Sequence, residues 1–153
     1  MRRRLIHSFL LTLVAGGGFI LHLSAADHRS FSGVWALDVE ASRFAAGVPP
    51  VDAGVLKISQ PEHKLLRLTV STSSGRAKKI IEDTWKLDDR YHPISGPVPG
   101  EVLAKWEGGI LVGKKQTVAG VEEIRFRLTP DSESLTESIA SGTNVTTLIW
   151  RRQ

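Results

Sequence analysis

The feature that most constrains this chain is a repeated alternation of apolar and polar residues in short segments. In the segment Phe31–Val39, Trp35 and Leu37 share one face, whereas Ala36 and Asp38 share the other. A period of two is typical of a β-strand that buries one face. The pattern recurs in about nine or ten segments, and no long segment has a helical period. The sequence therefore predicts an all-β domain.

Turn residues separate these segments and keep the connections short. Glu107-Gly108-Gly109 is a hairpin signal, and residues 141–144 join the last two segments. A single helical turn is expected only at 40–44. Short connections predict that neighbouring strands pair antiparallel. An open sheet of this length would leave two unpaired edges, so we expect a meander closed into a barrel of 8–10 strands, with a β-sandwich as the alternative.

The first 26 residues have the pattern of a secretory signal. Three arginines, Arg2 to Arg4, precede the apolar stretch Leu5–Leu23, and Ser24-Ala25-Ala26 supplies small residues for cleavage after Ala26. An uncleaved membrane anchor is the alternative, and the arginines also loosely fit a twin-arginine signal. The sequence thus predicts two parts, a signal at 1–26 and one domain at 27–153, exported to the periplasm or the exterior.

Removal of this signal changes the charge of the protein. The full chain has 20 basic and 16 acidic residues, and three of the basic ones lie in the signal, which leaves 17 against 16. A nearly neutral domain lacks the field that gathers nucleic-acid phosphates. We therefore expect no nucleic-acid partner. The pairs Lys78-Lys79, Lys114-Lys115 and Arg151-Arg152 are interpreted as solvated strand ends.

No catalytic, metal or cofactor motif is present. The domain has no cysteine, and its histidines, His28, His63 and His92, lie far apart without the spacing of a metal platform. No serine lies in a nucleophile motif. We therefore expect no cofactor, no metal and no enzyme activity.

Asp83 is the acidic residue whose position is ambiguous. It shares the parity of Trp85, which would point it inward, where it would need a cationic partner such as Lys114. The favoured interpretation is a strand edge or bulge that leaves Asp83 exposed.

The opening strand carries a resemblance to a known family. Gly33-x-Trp35-x-Leu37-Asp38, followed by the segment 41–44, resembles lipocalin-like (calycin-type) exported bacterial barrel proteins of unknown function. The resemblance implies that Trp35 closes the barrel floor, that Gly33 allows close approach, and that Arg151 or Arg152 packs over the indole. The chain departs from the family in having no disulfide, no clear C-terminal helix and no Arg-x-Tyr pair of the kind that holds a fatty-acid carboxylate.

The expected function is that of an exported, non-enzymatic barrel that binds a small apolar or amphipathic ligand. The predicted ligand-binding residues are the large apolar side chains of the inner face, Trp35, Leu66, Leu68, Trp85, Trp106 and Phe126. The alternative is a cell-envelope protein-interaction or inhibitor module with a filled barrel, in which the loop Gly96–Gly100 contacts the partner. A third interpretation is an enzyme site around His92 and Asp83.

Overall fold

The computed structural model describes residues 30–62, 64–94 and 98–153, which form an all-β fold. The predicted signal at 1–26 and the residues His28, His63 and Gly96 lie outside these ranges. The ten strands are β1 (Gly33–Arg43), β2 (Ala53–Glu62), β3 (Leu65–Ser74), β4 (Ala77–Lys86), β5 (Tyr91–Pro93), β6 (Gly100–Glu107), β7 (Ile110–Thr117), β8 (Gly120–Leu128), β9 (Ser134–Ser141) and β10 (Asn144–Arg152).

The helical turn expected at 40–44 is wrong, because β1 continues to Arg43. The Asp38 carboxylate accepts a hydrogen bond from the Ala41 amide at 3.0 Å, a local contact that resembles a helix start. Pairing with β10 resumes beyond this irregularity, where Arg43 lies opposite Thr147. Cross-strand pairing therefore prevails over the local turn.

All ten strands belong to one antiparallel sheet with the order β4-β3-β2-β1-β10-β9-β8-β7-β6-β5. The chain is a meander whose first and last long strands pair, so that the sheet curls round into a nearly closed barrel. This architecture confirms the barrel and the antiparallel meander rather than the sandwich. The sheet ends at β4 on one side and at β5 on the other, and between them lies a seam at which β4 approaches β6.

The floor of the barrel is built on Trp35, which is fully buried. Its Nε1 donates a hydrogen bond to the Phe31 carbonyl at 3.1 Å, and the Arg152 guanidinium carbon lies 4.2 Å from the indole centroid. The contact expected from the resemblance is therefore present, and Arg152 provides it. A Cβ at Gly33 would lie 2.9 Å from Arg152 Nη1, so glycine makes room for the guanidinium.

The interpretation of Arg151-Arg152 as a solvated pair is wrong for Arg152. Successive residues on a strand face opposite sides of the sheet. Arg152 points to the floor and donates to the Ser132 carbonyl at 2.9 Å, whereas Arg151 pairs on the outside with Asp38 at 3.1 Å. The two arginines are neighbours in sequence with different structural roles.

Replacing these arginines separates the two roles. We expect Arg152→Ala to lower the free energy of unfolding by about 1–3 kcal/mol, because it removes the cation–π contact and a charged hydrogen bond. Arg151→Ala is the matched control and is expected to cost under about 1 kcal/mol, since its ion pair is exposed. Urea unfolding of both variants measures the difference, and equal costs would contradict a structural role for the floor contact.

Candidate ligand-binding site

The interior of the barrel differs between its two ends. Near the floor most inward side chains are buried, among them Leu66, Leu111 and Leu135, although Trp106 and Leu128 are only half-buried. Towards the opposite end, here called the mouth, inward apolar side chains pack against this core but remain half-exposed. These mouth residues are Leu37, Val70, Ile139 and Leu148. The interior is thus filled at the floor and offers accessible apolar surface nearer the mouth.

The six predicted ligand-binding residues lie on the inner face and are brought together by the fold. Trp35, Leu66, Leu68, Trp85 and Phe126 are buried, and Trp106 is half-buried. Three of the six contact other aromatic rings. Phe31 stacks on Trp106 with centroids 5.2 Å apart, and Trp85 lies 6.0 Å from Phe126. Contact of these six residues with a ligand stays a prediction, and the accessible apolar surface belongs to the mouth residues.

Trp85 crosses the seam of the barrel. A Cβ at Gly113 would lie 2.6 Å from the Trp85 ring, so the indole rests directly on the backbone of β7. Among the described residues no acceptor lies within hydrogen-bond distance of the buried Trp85 Nε1. A buried N–H donor without a partner is costly, and it leaves one donor open to a ligand or water.

Asp83 also points across the seam. Its side chain is 8% exposed and pairs with the Nζ of Lys115 at 3.7 Å, with Lys115 itself 23% exposed. The favoured interpretation of an exposed Asp83 is therefore wrong, and so is the choice of Lys114 as its partner. On β7 the inward parity is that of Leu111 and Gly113, which places Lys115 inside and leaves Lys114 exposed. The interpretation of Lys114-Lys115 as a solvated pair is therefore wrong for Lys115.

Sequence reasoning missed the most unusual interior residue, Glu137. It lies on β9 with the parity of Leu135 and Ile139, opposite Phe126 of β8 and Leu148 of β10. The residue is 7% exposed, and its Oε2 accepts a hydrogen bond from the buried Trp150 Nε1 at 2.9 Å. The alternation Leu-x-Glu-x-Ile is the signal that could have revealed an inward carboxyl.

Burial raises the pKa of Glu137 to about 7, and the hydrogen bond from Trp150 offsets only part of that rise. Desolvation disfavours the charged form of a carboxyl when no cation compensates for the lost water. No Lys, Arg or His among the described residues lies within ion-pair distance of Glu137. The barrel therefore contains a carboxyl group that changes charge near neutral pH.

His92 and Asp83 each form an ion pair with a different residue. The His92 Nε2 lies 2.9 Å from both carboxylate oxygens of Asp88, and this hydrogen bond lowers the pKa of Asp88. Asp83 is engaged with Lys115. The contacts of these residues therefore give no support to a catalytic pair of His92 and Asp83.

Two further findings concern the part of the chain that the structure describes. It contains no group of three or more His, Cys, Asp or Glu side chains placed to hold a metal ion. It also contains no helix that is both long and apolar enough to cross a bilayer.

A shallow depression of about 350 Å³ lies on the outer face of β2, β3 and β4. Its lining includes Lys57, Lys78 and Glu82, all exposed on the outward parity of their strands. An open surface with charged lining suits water better than an apolar ligand. The interior is the better candidate site, because it combines apolar walls with a few buried polar groups.

Only solved structures resemble this chain, and the resemblance concerns the fold. No family model matches this sequence, and neither does any curated protein. Among solved structures, fatty-acid-binding protein 1 of Echinococcus granulosus has a TM-score of 0.60 at 12% identity, covering 80% of this chain and 96% of that one. Wild-type fluorescent protein UnaG has a TM-score of 0.59 at 14% identity, with coverages of 80% and 97%. The REP1-NXSQ fatty acid transporter has a TM-score of 0.60 at 13% identity, with coverages of 80% and 95%.

These likenesses define the class of fold. The chain shares its barrel fold with solved structures that include a fatty-acid-binding protein. Identities of this size carry no statement about a shared ligand. The narrower resemblance to exported bacterial lipocalin-like proteins stays a prediction.

The raised pKa of Glu137 predicts a pH-dependent stability. Because the folded protein holds the proton more tightly than the unfolded chain, stability falls as pH rises from the ordinary 4.5 through about 7. The loss is at most about 3 kcal/mol. We expect Glu137→Gln, which keeps an acceptor for Trp150, to remove this loss. Urea unfolding of both proteins from about pH 5 to about pH 8.5 measures the difference, and parallel profiles would contradict the prediction.

Proposed function

We propose that this protein is an exported, non-enzymatic barrel that binds one small apolar or amphipathic molecule in its interior. The observation that carries the proposal is the inner surface near the mouth, where half-exposed apolar side chains adjoin buried polar groups. Removal of this apolar surface from water would drive binding, at about 25 cal/mol per Å². The polar groups would fix the orientation of the ligand.

The accessible inner surface lies above the filled floor. Leu37, Val70, Ile139 and Leu148 lie on the neighbouring part of the sheet from β3 to β9, so a ligand among them would lie against one curved wall of the barrel. The connection 44–52 between β1 and β2 contains no helix that would cover this end. The filled floor favours a ligand position in the mouth half, above most of the predicted ligand-binding residues.

The names of two structural neighbours support a ligand of low polarity. One is called a fatty-acid-binding protein and another a fatty acid transporter. These names describe those proteins, and fold alone does not transfer a ligand. They make an amphipathic molecule the first class to test here.

The binding proposal is tested with the neutral, environment-sensitive dye Nile red. We expect saturable binding with a blue-shifted emission, and a urea midpoint that rises with dye concentration, because a ligand that binds the folded state stabilises it. Leu148→Trp, which adds bulk to the inner surface, is expected to weaken binding at least about tenfold. Fluorescence titration measures both effects.

Val145→Trp is the matched control, because Val145 lies on the same strand but is exposed on the outer face. It adds the same bulk outside the barrel and should leave the affinity unchanged. Absence of dye binding to a cooperatively folded protein would contradict the proposal. Equal loss in both variants would place the dye outside the interior.

Export is tested separately. If residues 1–26 are a cleaved signal, the mature protein begins at Asp27, and intact-mass measurement of the secreted protein gives the mass of residues 27–153. Ala26→Arg places a large charged residue at the cleavage site and is expected to leave the signal attached. A wild-type protein that retains residues 1–26 would instead indicate an anchor.

A further inference from the structure

Glu137 is a buried carboxyl for which the fold supplies no cation. Its one hydrogen bond leaves Oε1 without a donor among the described residues. Buried charges in folded proteins are ordinarily paired, because desolvation without compensation is expensive. A buried glutamate that has a hydrogen bond from Trp150 but no cationic partner among the described residues is therefore a candidate for a role in binding.

The position of Glu137 places it at the boundary between the filled and the open parts of the interior. Its neighbours of the same parity towards the floor, Leu135 and Trp150, are fully buried. Leu148 and Ile139, the corresponding neighbours towards the mouth, are half-exposed. A ligand that enters from the mouth would meet Glu137 at the deepest accessible level.

The charged groups around Glu137 are few. On β8, Glu122 has the inward parity and is half-buried, and on β10 the inward cation is Arg152, which is held over Trp35 at the floor. Across the barrel, Asp83 and Lys115 form a pair, and on β5 the His92 side chain binds Asp88. On β4, Lys79 has the same inward parity as Asp83 and is exposed at the rim of the mouth.

We propose that the interior site takes an amphiphile with a single aliphatic amine, whose ammonium group pairs with Glu137 while its apolar chain lies against the mouth residues. The proposal rests on the proposed binding function and specifies its ligand class. An ammonium supplies the missing cation and can donate to the free Oε1. Its charge is opposite to that of the ionised Glu137 carboxylate, and the head group is small enough to lie beside the buried side chains around that carboxylate.

A carboxylate ligand is disfavoured by the same surroundings. Its head group would lie beside Glu137, and no described cation is within ion-pair distance of that carboxyl, because the inward Lys115 pairs with Asp83 and lies opposite Glu122 of β8. Like charges in a low-dielectric site repel strongly. The inner face therefore discriminates against fatty acids, although the fold is shared with proteins that are named for binding them.

If the ammonium group pairs with the ionised form of Glu137, the affinity for the amine depends on pH. An ammonium group binds the ionised carboxylate, and the raised pKa of about 7 means that Glu137 loses its charge in mildly acidic solution. The amine itself remains charged throughout, as a lysine side chain does. Amine affinity should therefore fall as pH falls, whereas the affinity of an uncharged analogue should not.

The experiment compares three probes with the same alkyl chain, decylamine, decanol and decanoate, by calorimetric titration of the exported protein. At about pH 8.5 we expect decylamine to bind at least about tenfold more tightly than decanol, and decanoate to bind most weakly. At about pH 5.5 decylamine affinity should fall towards that of decanol, by at most about thirtyfold, following the ionised fraction of Glu137.

Two variants, each of which removes one negative charge, test whether Glu137 is the group that binds the amine. Glu137→Gln should make decylamine affinity independent of pH and close to that of decanol, while decanol binding persists. Glu122→Gln is the matched control and should retain the pH dependence, because Glu137 is still present.

The outcomes separate the two proposals. Decanol binding without any preference for the amine would overturn the assignment of Glu137 and leave the binding function standing. A pH dependence that persists in Glu137→Gln would also overturn the assignment. Failure of all three probes and of Nile red would overturn the binding function itself.

Discussion

Pairing between β1 and β10 is the constraint on which the rest of the structure depends. It joins the first and the last of the ten strands, so that the meander becomes a barrel with a distinct inside. The floor contact between Trp35 and Arg152 sits on this same strand pair, which couples closure to the packing of the largest buried side chains. Without that pairing, the inward residues of β2 to β4 and of β6 to β9 would belong to two separate sheets. No shared interior would then exist for a ligand.

The interior is not uniform in its polarity, and this bears on what it can hold. Burial of the Glu137 carboxyl costs free energy that burial of a Trp, Phe or Leu side chain at the same place would not cost. The cost of that carboxyl appears as its raised pKa, which the hydrogen bond from Trp150 offsets only in part. Asp83 and Lys115 differ in this respect, because each compensates the other across the seam. Within the described residues, the interior thus contains the ion pair of Asp83 with Lys115 and a buried carboxyl, Glu137, that has no cation within ion-pair distance.

The sequence predicted the fold well and the site in part. Alternation and turn residues gave the all-β meander, and the Gly-x-Trp strand gave the floor with its arginine. Parity arguments failed where the choice of face was ambiguous. On β7, Lys114 shares parity with Ile110 and Val112, whereas the packing of Trp85 on Gly113 decides that Lys115 faces inward. Glu137 was overlooked for a related reason. The alternation of Leu135, Glu137 and Ile139 looks the same whether the strand lies at an exposed sheet edge or inside a barrel, so the sequence does not show that the carboxyl is buried.

The chain by itself determined which residues alternate and where the strands turn, because these properties follow from local backbone geometry and solvation. It also limited the chemistry, by containing no cysteine and no recognisable catalytic motif. Only the tertiary structure decided which alternating face is enclosed, where the filled floor gives way to accessible apolar surface, and which carboxyl lacks a cation. Those features depend on contacts between strands far apart in sequence. Burial, and with it the charge state of Glu137, is a property of the closed barrel rather than of any segment of the chain.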